Sequence, residues 1–360
     1  MHKVTIQPQW TISNAQGQQL SHRLLELLSE VQKHGSLSAS CKKSGSSYRH
    51  AWNLIRQAEE QTRIELLKME RGKGSTLTPF AEKLVWAGER IYARLSPTLE
   101  SLASELEGEI SKVLATNEDI LKVHASHGFA VEKLIDTLIK NGNNVERRYV
   151  GSQESVASLF AGKCELAGFH IPQGEFEEIA IKHYAKWLDP KNSQILHIAT
   201  RRQGLMVAKG NPNSIYNISD LANPKVRYVN RHPSSGTYFL LECFLKKAGI
   251  QSSQINGFDQ REFTHAAVAA YVASGMADVG LGVETPSRRF GLDFIPLANE
   301  QYFLVCNKEN LKSSNLKAVL SVLRDPDFQK SINELPGYKA DKCGVVETLQ
   351  EAFANSLTIR

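Results

Sequence analysis

The chemistry in this sequence gathers at corners where a strand would hand over to a helix. The richest corner is Asn230-Arg-His-Pro-Ser-Ser-Gly-Thr, which carries Arg231, Ser234, Ser235 and Thr237. Backbone N–H groups, hydroxyls and the positive end of a helix dipole together make an anion site. No Gly-Lys-Ser/Thr follows, so this is not a Walker loop. Similar corners occur at Ser126-His127-Gly128, Gly151-Ser152-Gln153 and Thr264-His265. Each alone is also explained by helix capping. As a set they can converge in one cleft between two lobes. Arg231 could pair with an anion or with a surface carboxylate. His127 and His265 could touch a ligand or bond within their loops. Glu284 fits less simply, because a carboxylate beside an oxyanion costs free energy unless protonated or paired. It is expected either as a contact to a ligand that presents a donor, or at a lobe interface.

A second group lies near the N-terminus. Ser46, Ser47, Tyr48, Arg49, Asn53 and Arg56 share the polar face of one predicted helix. These groups can bond phosphate oxygens or base edges. Lys42 and Lys43 precede it, and Arg71 and Lys73 sit on a glycine-rich tip, all placed to meet phosphate. Charge supports the division. Residues 1–98 hold 14 Lys and Arg against 8 Asp and Glu, a net of +6, whereas the whole chain is +5. The excess therefore sits in the first quarter, where a polyanion would bind.

The elements that must position these groups follow from periodicity. Leu20 to Lys33 is an amphipathic helix, Ser36 to Ser44 a second, and Ser46 caps a third running to Gln61. Ala51, Trp52 and Ile55 suit its buried face. Two short strands flank Arg71-Gly-Lys-Gly-Ser. Thr78-Pro79 opens a long helix to about Lys112, with a possible break at Ser96-Pro97. From Ile120 short apolar strands alternate with helices, as in an α/β domain with mainly parallel sheet. Among them are Gly204-Leu-Met-Val-Ala, Phe294-Ile-Pro-Leu and Tyr302-Phe-Leu-Val-Cys.

Gly35-Ser-Leu-Ser-Ala, Gly45-Ser-Ser-Tyr-Arg-His-Ala-Trp and Gly72-Lys-Gly-Ser-Thr-Leu-Thr resemble the winged helix-turn-helix of ModE-type molybdate-responsive repressors, and more distantly LysR-type regulators. Cys41 and Phe80-Ala-Glu depart from that pattern without removing an expected DNA contact. The resemblance implies a homodimer through the long helix from Thr78, on a roughly palindromic operator. Gln203 to Pro212, Asn230 to Thr237 and Thr264 to Glu284 resemble cytoplasmic domains like periplasmic binding proteins for molybdate and tungstate. This implies two lobes joined by crossover strands.

The expected fold class is thus α/β overall. An extension, 1–19, precedes an all-α winged helix-turn-helix with its dimerisation helix, 20–112. A two-lobed type II periplasmic-binding-protein-like domain follows at 119–345, and a tail at 346–360. One lobe takes 119–201 and 293–345, the other 202–292. The expected function is a one-component transcriptional regulator of double-stranded DNA. It would be a homodimer or higher homo-oligomer sensing a small anionic effector, molybdate or tungstate, or else a small organic acid or cofactor-like molecule. A cytoplasmic solute-binding protein without DNA regulation is the alternative of another class. No catalytic residues, metal or cofactor are expected: GxSxG and metal-ligand spacings are missing, and Cys41, Cys164, Cys243, Cys306 and Cys343 stand far apart. The first residues lack a basic head followed by an apolar stretch, so a cytoplasmic location without membrane attachment is expected.

Overall fold

Apolar side chains at helical spacing organise the first of two units, residues 7–95; residues 1–6 and 96–360 form the second. The computed structural model describes residues 3–13, 17–70, 74–113 and 120–353. Helix α1 (His22–His34) buries Leu24, Leu28 and Val31 and stops at Gly35, whose φ of 73° a side chain would strain. The Ser36 hydroxyl accepts from Ala39 N and starts α2 (Leu37–Ser44). Gly45 closes that helix, and two serines lead into α3 (Tyr48–Thr62), which buries Ala51, Ile55 and Ala58. Strands β1 (Leu67–Glu70) and β2 (Gly74–Leu77) pair antiparallel, Leu67 against Leu77. Trp10 and Ile12, expected in a polar extension, pack on this unit's core.

Helix α4 (Pro79–Val113) runs without interruption through Pro97, so the expected break at Ser96-Pro97 does not occur. Proline removes one N–H bond, and the turns on either side hold the helix. One turn further on, the Ser101 hydroxyl donates to Pro97 O at 2.8 Å.

The second unit begins with β3 (Leu121–Ala125), α5 (Phe129–Lys140), β4 (Val145–Tyr149), α6 (Ser152–Phe160), β5 (Leu166–Pro172) and α7 (Glu177–Tyr184). A long strand, β6 (Ser193–Val207), then crosses to a second lobe. That lobe holds β7 (Tyr228–Arg231), α8 (Gly236–Ala248), β8 (Arg261–Glu262), α9 (His265–Ala273), β9 (Val279–Val283) and α10 (Glu284–Arg289). Strand β10 (Asp293–Asn307) returns, followed by α11 (Ser314–Arg324), α12 (Pro326–Asn333), β11 (Tyr338–Lys339), β12 (Val346–Thr348) and α13 (Leu349–Ala352).

The sheet order is β4-β3-β5-β10-β6-β9-β7-β8. Strands β3, β4 and β5 of the first lobe run parallel, as do β7, β8 and β9 of the second, because helices cross over between them. Only β6 and β10, paired antiparallel along their length, belong to both lobes. Residues 300–305 of β10 pair with β5, while residues 203–207 of β6 pair with β9. The change of lobe therefore falls at residues 201–203 and 298–300, where the β6–β10 register also shifts between Pro296 and Ala298. Phe294-Ile-Pro-Leu and Tyr302-Phe-Leu-Val-Cys, read as separate strands, are the two ends of β10. Each lobe buries apolar residues on both faces of its sheet. Of the residues expected as a tail, Val346–Thr348 pair as β12 with Leu196–Gln194 and Phe353 is buried in the core, while 354–360 lie outside the described residues. All five cysteines are buried and free. No helix among the described residues is long and apolar enough to cross a membrane.

Gly204 occupies the tightest place in this crossover. A Cβ there would lie 2.1 Å from Ile295 O and 2.8 Å from the Phe294 ring. Gly204→Ala should lower the urea-unfolding midpoint of the full chain, by about 1–3 kcal/mol of stability, as overpacking does. An unchanged midpoint would show that β6 and β10 can separate locally at no cost.

Candidate functional site: a buried cationic cleft

Polar side chains converge where β6 and β10 change lobe. Arg201, Gln203 and Glu300 are all buried. Arg201 donates from Nε to Glu300 Oε2 at 2.8 Å, and its Nη2 lies 2.8 Å from the same oxygen. Gln203 Nε2 donates to that oxygen at 2.9 Å and to Thr237 Oγ1 at 3.1 Å. Burial works against the Arg201 charge, but Glu300 and Tyr338 together more than offset it and hold the pKa above its ordinary value. A buried pair endures only when its remaining groups are also bonded, which Gln203 helps to achieve.

Each lobe adds groups to this centre. The first supplies Ser126 after β3, Ser152 at the start of α6, and His170 in β5. His170 is bracketed by hydroxyls, with Nε2 3.2 Å from Ser126 Oγ and Nδ1 2.9 Å from Ser152 Oγ. Its ring stacks on Tyr302 at 4.2 Å. The second lobe supplies Arg231 at the end of β7, Thr237 in α8 and His265 at the start of α9. Gly236 of the second lobe faces these groups: a Cβ there would make ordinary contacts, 3.6 Å from His170 Nδ1, 3.8 Å from Ser152 Oγ and 3.9 Å from Glu300 Oε1. Nearby, a Cβ on Gly151 would lie 2.3 Å from Ser234 O, so only glycine permits that approach.

Arg231 is 5% exposed. Its Nη2 donates to Phe263 O at 2.9 Å, while Nε and Nη1 are buried with no partner among the described residues. Burial and the Arg201 charge pull its pKa down to about 9, against the attraction of Glu300. Burial, then Arg201 and Arg231, hold the His170 pKa well below the ordinary imidazole value. His265 is depressed likewise, by burial, Arg231 and Arg201. Glu300 is bonded to Arg201, and Glu262, also buried, is the register partner of Arg231 on the neighbouring strand.

The residues singled out by sequence divide on this geometry. Ser126, Ser152, Arg231, Thr237 and His265 belong to the cluster. Ser235 and Thr264 use their hydroxyls as caps, accepting from Tyr238 N at 3.2 Å and Ala267 N at 2.9 Å. Ser234 Oγ lies 2.9 Å from His232 Nδ1. His127 meets Tyr149 edge-on at 5.0 Å and lies 4.0 Å from Glu132; burial, then Arg231 and Arg147, lower its pKa to about 4. Glu284 has its carboxylate occupied. Arg202 Nη2 stands 2.5 Å from Oε2 and Arg288 Nη2 3.0 Å from Oε1, so it is a paired structural group rather than an open ligand contact. Arg201, Gln203, Glu300 and His170 were not anticipated. The signal was there: Arg201-Arg202-Gln203 interrupts an otherwise apolar strand. Among the described residues, no group of three His, Cys, Asp or Glu could hold a metal ion.

The second half of α4 lies along β4. Ser101 Oγ accepts from Tyr149 N and Ser104 Oγ from Arg147 N, both at 2.9 Å. Arg147 also lies 3.7 Å from Glu100 and 3.6 Å from Asp136. These hydroxyls serve the N–H groups of a strand edge that no other strand pairs. Tyr149 in turn touches His127, so α4 is two contacts from the corner that follows β3.

In the first unit, Lys42, Lys43, Ser46, Ser47, Tyr48, Arg49, Asn53 and Arg56 are all exposed. Tyr48 stacks on Trp52 at 6.4 Å, and the Arg56 guanidinium lies 4.9 Å from the Trp52 ring. One face of α3 thus carries a rigid aromatic and cationic ladder beside Asn53. Arg71 and Lys73 lie outside the described residues.

Comparison with known proteins can now be set against this geometry. The chain is 32% identical over 200 residues to the uncharacterized protein YvgK of Bacillus subtilis (strain 168), covering 56% of this chain and 64% of that relative. It thus spans less than two thirds of that relative's length. It is 33% identical over 110 residues to an uncharacterized protein from the 5′ region of a Clostridium pasteurianum 2Fe-2S ferredoxin gene, covering 30% of this chain and 97% of that one. Among solved structures, it is similar to a Corynebacterium glutamicum OxyR mutant, at 12% identity and TM-score 0.41, covering 83% of this chain and 90% of that one. It is similar also to CbnR, a LysR family transcriptional regulator, at 16% identity and TM-score 0.38, covering 83% and 98%. The model of the PBP superfamily domain matches residues 137–324, which is over half of the chain and spans both lobes of the cleft. The chain belongs to this PBP-like family.

Proposed function

We propose that the protein is a one-component transcriptional regulator that senses a small anion in the cleft between its lobes. One observation carries this reading: Arg231 is buried with two guanidinium nitrogens that have no partner among the described residues. Leaving charged donors unsatisfied costs about 1–3 kcal/mol or more. An anion donated to by Arg231, with Ser126 and Ser152 in reach, removes that cost, and it does so only when both lobes are in place. Molybdate and tungstate are the first effectors to test, on the resemblance of the strand corners. No cofactor is needed for this reading.

The α3 face supports DNA as the second partner. Tyr48, Arg49, Asn53 and Arg56 offer base and phosphate contacts, and Lys42 and Lys43 further phosphate contacts. Helix α4 supports a homodimer. Leu95, Leu99, Leu102 and Leu106 alternate at four and three residues, and Leu95, Leu102 and Leu106 are 40%, 45% and 47% exposed. That spacing is the seam of a coiled coil. Through Ser101 and Ser104, the same helix is bonded to the lobe that carries Ser126 and His127. A change in the cleft can therefore bias α4, provided the anion binds the two states with different affinity.

Thermal unfolding of the full chain, with oxyanions and small carboxylates in turn, tests the sensor. An effector at one hundred times its Kd should add about 2.7 kcal/mol, and Arg231→Met should abolish that gain. Stabilisation by no anion contradicts the reading. Operator binding should fall steeply with salt, and Tyr48→Ala or Arg49→Ala should each weaken it by about 1–3 kcal/mol. Wild-type affinity in both variants would rule out α3 as the reading helix. Ser101→Ala combined with Ser104→Ala should keep DNA and anion binding but shrink the effect of one on the other. An undiminished coupling would exclude this joint.

A further inference from the structure

Gln203 is wholly buried in β6, at the point where that strand changes lobe. Its side-chain amide has one end that donates and one that accepts. The donating end is fully used. Nε2 gives a hydrogen to Glu300 Oε2 at 2.9 Å and another to Thr237 Oγ1 at 3.1 Å. These bonds fix which way the amide points. Glu300 Oε2 already accepts from Arg201, so an amide turned round would set its carbonyl oxygen against a carboxylate oxygen. The accepting end, Oε1, is the atom left over, and it is buried with no partner among the described residues.

An orphaned carbonyl oxygen in the interior is costly and calls for an explanation. The groups around it do not relieve that cost. Arg201 spends Nε and Nη2 on Glu300, while its Nη1, like Arg231 Nε and Nη1, has no partner among the described residues. None of these nitrogens reaches Gln203 Oε1 in bonding geometry. His265 Nδ1 is also buried without a partner there, and a neutral imidazole nitrogen can serve either as donor or as acceptor. Glu262, the buried register partner of Arg231 on β8, is already engaged. Two kinds of unmet atom therefore remain. The guanidinium nitrogens need acceptor atoms, which any anion supplies. The amide oxygen needs a hydrogen, which a fully deprotonated oxyanion does not have.

The position of this oxygen joins it to the cleft. Oε1 shares its carbon with Nε2, and Nε2 bridges Glu300 of β10 to Thr237 of the second lobe. The residue before Thr237 is Gly236, which lies beside Ser152 and His170 of the first lobe. Glu300, to which the amide is bonded, is also one of the charges that act on Arg231.

We infer, resting on the anion site proposed above, that Gln203 selects anions bearing a hydroxyl hydrogen: the ligand accepts from Arg231 and donates its O–H to Gln203 Oε1. A hydrogenphosphate-type oxyanion and a small hydroxycarboxylate share that chemistry. Sulfate and tungstate, which carry no hydrogen near neutral pH, bind through the arginines but leave Oε1 unmet. A site built to bond a ligand hydroxyl discriminates strongly against the analogue that lacks it, because the site's own polar atom is then left alone.

Two series of ligands separate the hydroxyl from charge and shape. Hydrogenphosphate, sulfate and monofluorophosphate are tetrahedral dianions at mildly alkaline pH, and only the first carries an O–H. Glycolate, acetate and fluoroacetate are monoanionic carboxylates, and again only the first carries an O–H. Calorimetric titration of the full chain gives each affinity. In the series that the cleft takes, the hydroxyl ligand should bind at least about tenfold tighter than both analogues. A preference among the oxyanions assigns the ligand to that class, and one among the carboxylates to the other. In Gln203→Met the preference should vanish, whereas loss of a merely structural amide would weaken all the ligands together and keep it. A thermal-unfolding midpoint close to wild type shows that this variant is folded; if it is not, the fluorinated ligands decide the matter on the wild-type chain. Analogues that bind as tightly as their hydroxyl partners overturn the inference and leave the anion site standing. A preference that survives in Gln203→Met overturns the assignment to Gln203. If none of these ligands binds, the inference falls, and titration with tungstate decides whether the anion site falls with it.

Discussion

The buried pair between Arg201 and Glu300 is the constraint on which this architecture turns. It sits where the only two strands shared by both lobes change lobe. Breaking such a pair by removing one partner typically costs about 3–5 kcal/mol, since it leaves a buried charge alone. The pair therefore pins the crossover, and it also orders what surrounds it. Gln203 is held on Glu300 and reaches Thr237 in the second lobe, and Tyr302 carries His170 on its face. Glu300 is thus committed to Arg201, while Arg231 Nε and Nη1 have no partner among the described residues.

That shortage distinguishes a site from a scaffold. Arg227, on the surface, has Asp278 at 2.7 Å, and Arg202 and Arg288 share Glu284. These arginines are matched by carboxylates and need no ligand. Arg231 is buried more deeply than any of the three, yet among the described residues its guanidinium donates to one carbonyl alone, leaving Nε and Nη1 without a partner. Buried polar groups are almost always bonded, and an exception calls for an explanation. Stability would be better served by an apolar side chain or an added carboxylate. A ligand that completes the set accounts for the residue, beside Gly151, where only glycine permits the approach of Ser234.

Much of this was legible in the residues. The helix order of the first unit, Gly35 and Gly45 as stops, the strand–helix alternation from Ile120, and the corners at Ser126, Ser152 and Arg231 all rest on local signals. The misses share one physical origin. Arg201, Gln203, Glu300 and His170 lie inside strands, where periodicity reports burial but not which distant side chain answers a charge. Glu300 is 99 residues from Arg201, and His170 is 44 from Ser126. Such pairings are a property of the sheet order alone. Glu284 shows the reverse case: a carboxylate beside a cleft motif looked available until Arg202 and Arg288 were seen to occupy it. Likewise Pro97 suggested a break, because the local cost of proline is visible in sequence and the length of helix that absorbs it is not.

The account also separates two tasks along the chain. Recognition of DNA is assigned to a positively charged, exposed helix face, where each contact adds separately. Sensing is assigned to a buried cluster, where charges and hydrogen bonds must balance together. Sensing, on the reading proposed above, requires an anion at Arg231. Diffraction at the tungsten absorption edge, from crystals of the full chain grown with tungstate, examines that requirement most directly. The account predicts one strong anomalous peak within hydrogen-bonding distance of Arg231 Nε or Nη1 and of Ser126 or Ser152. Tungsten found only at surface lysines, or Arg231 satisfied by a protein carboxylate in the crystal, would contradict it.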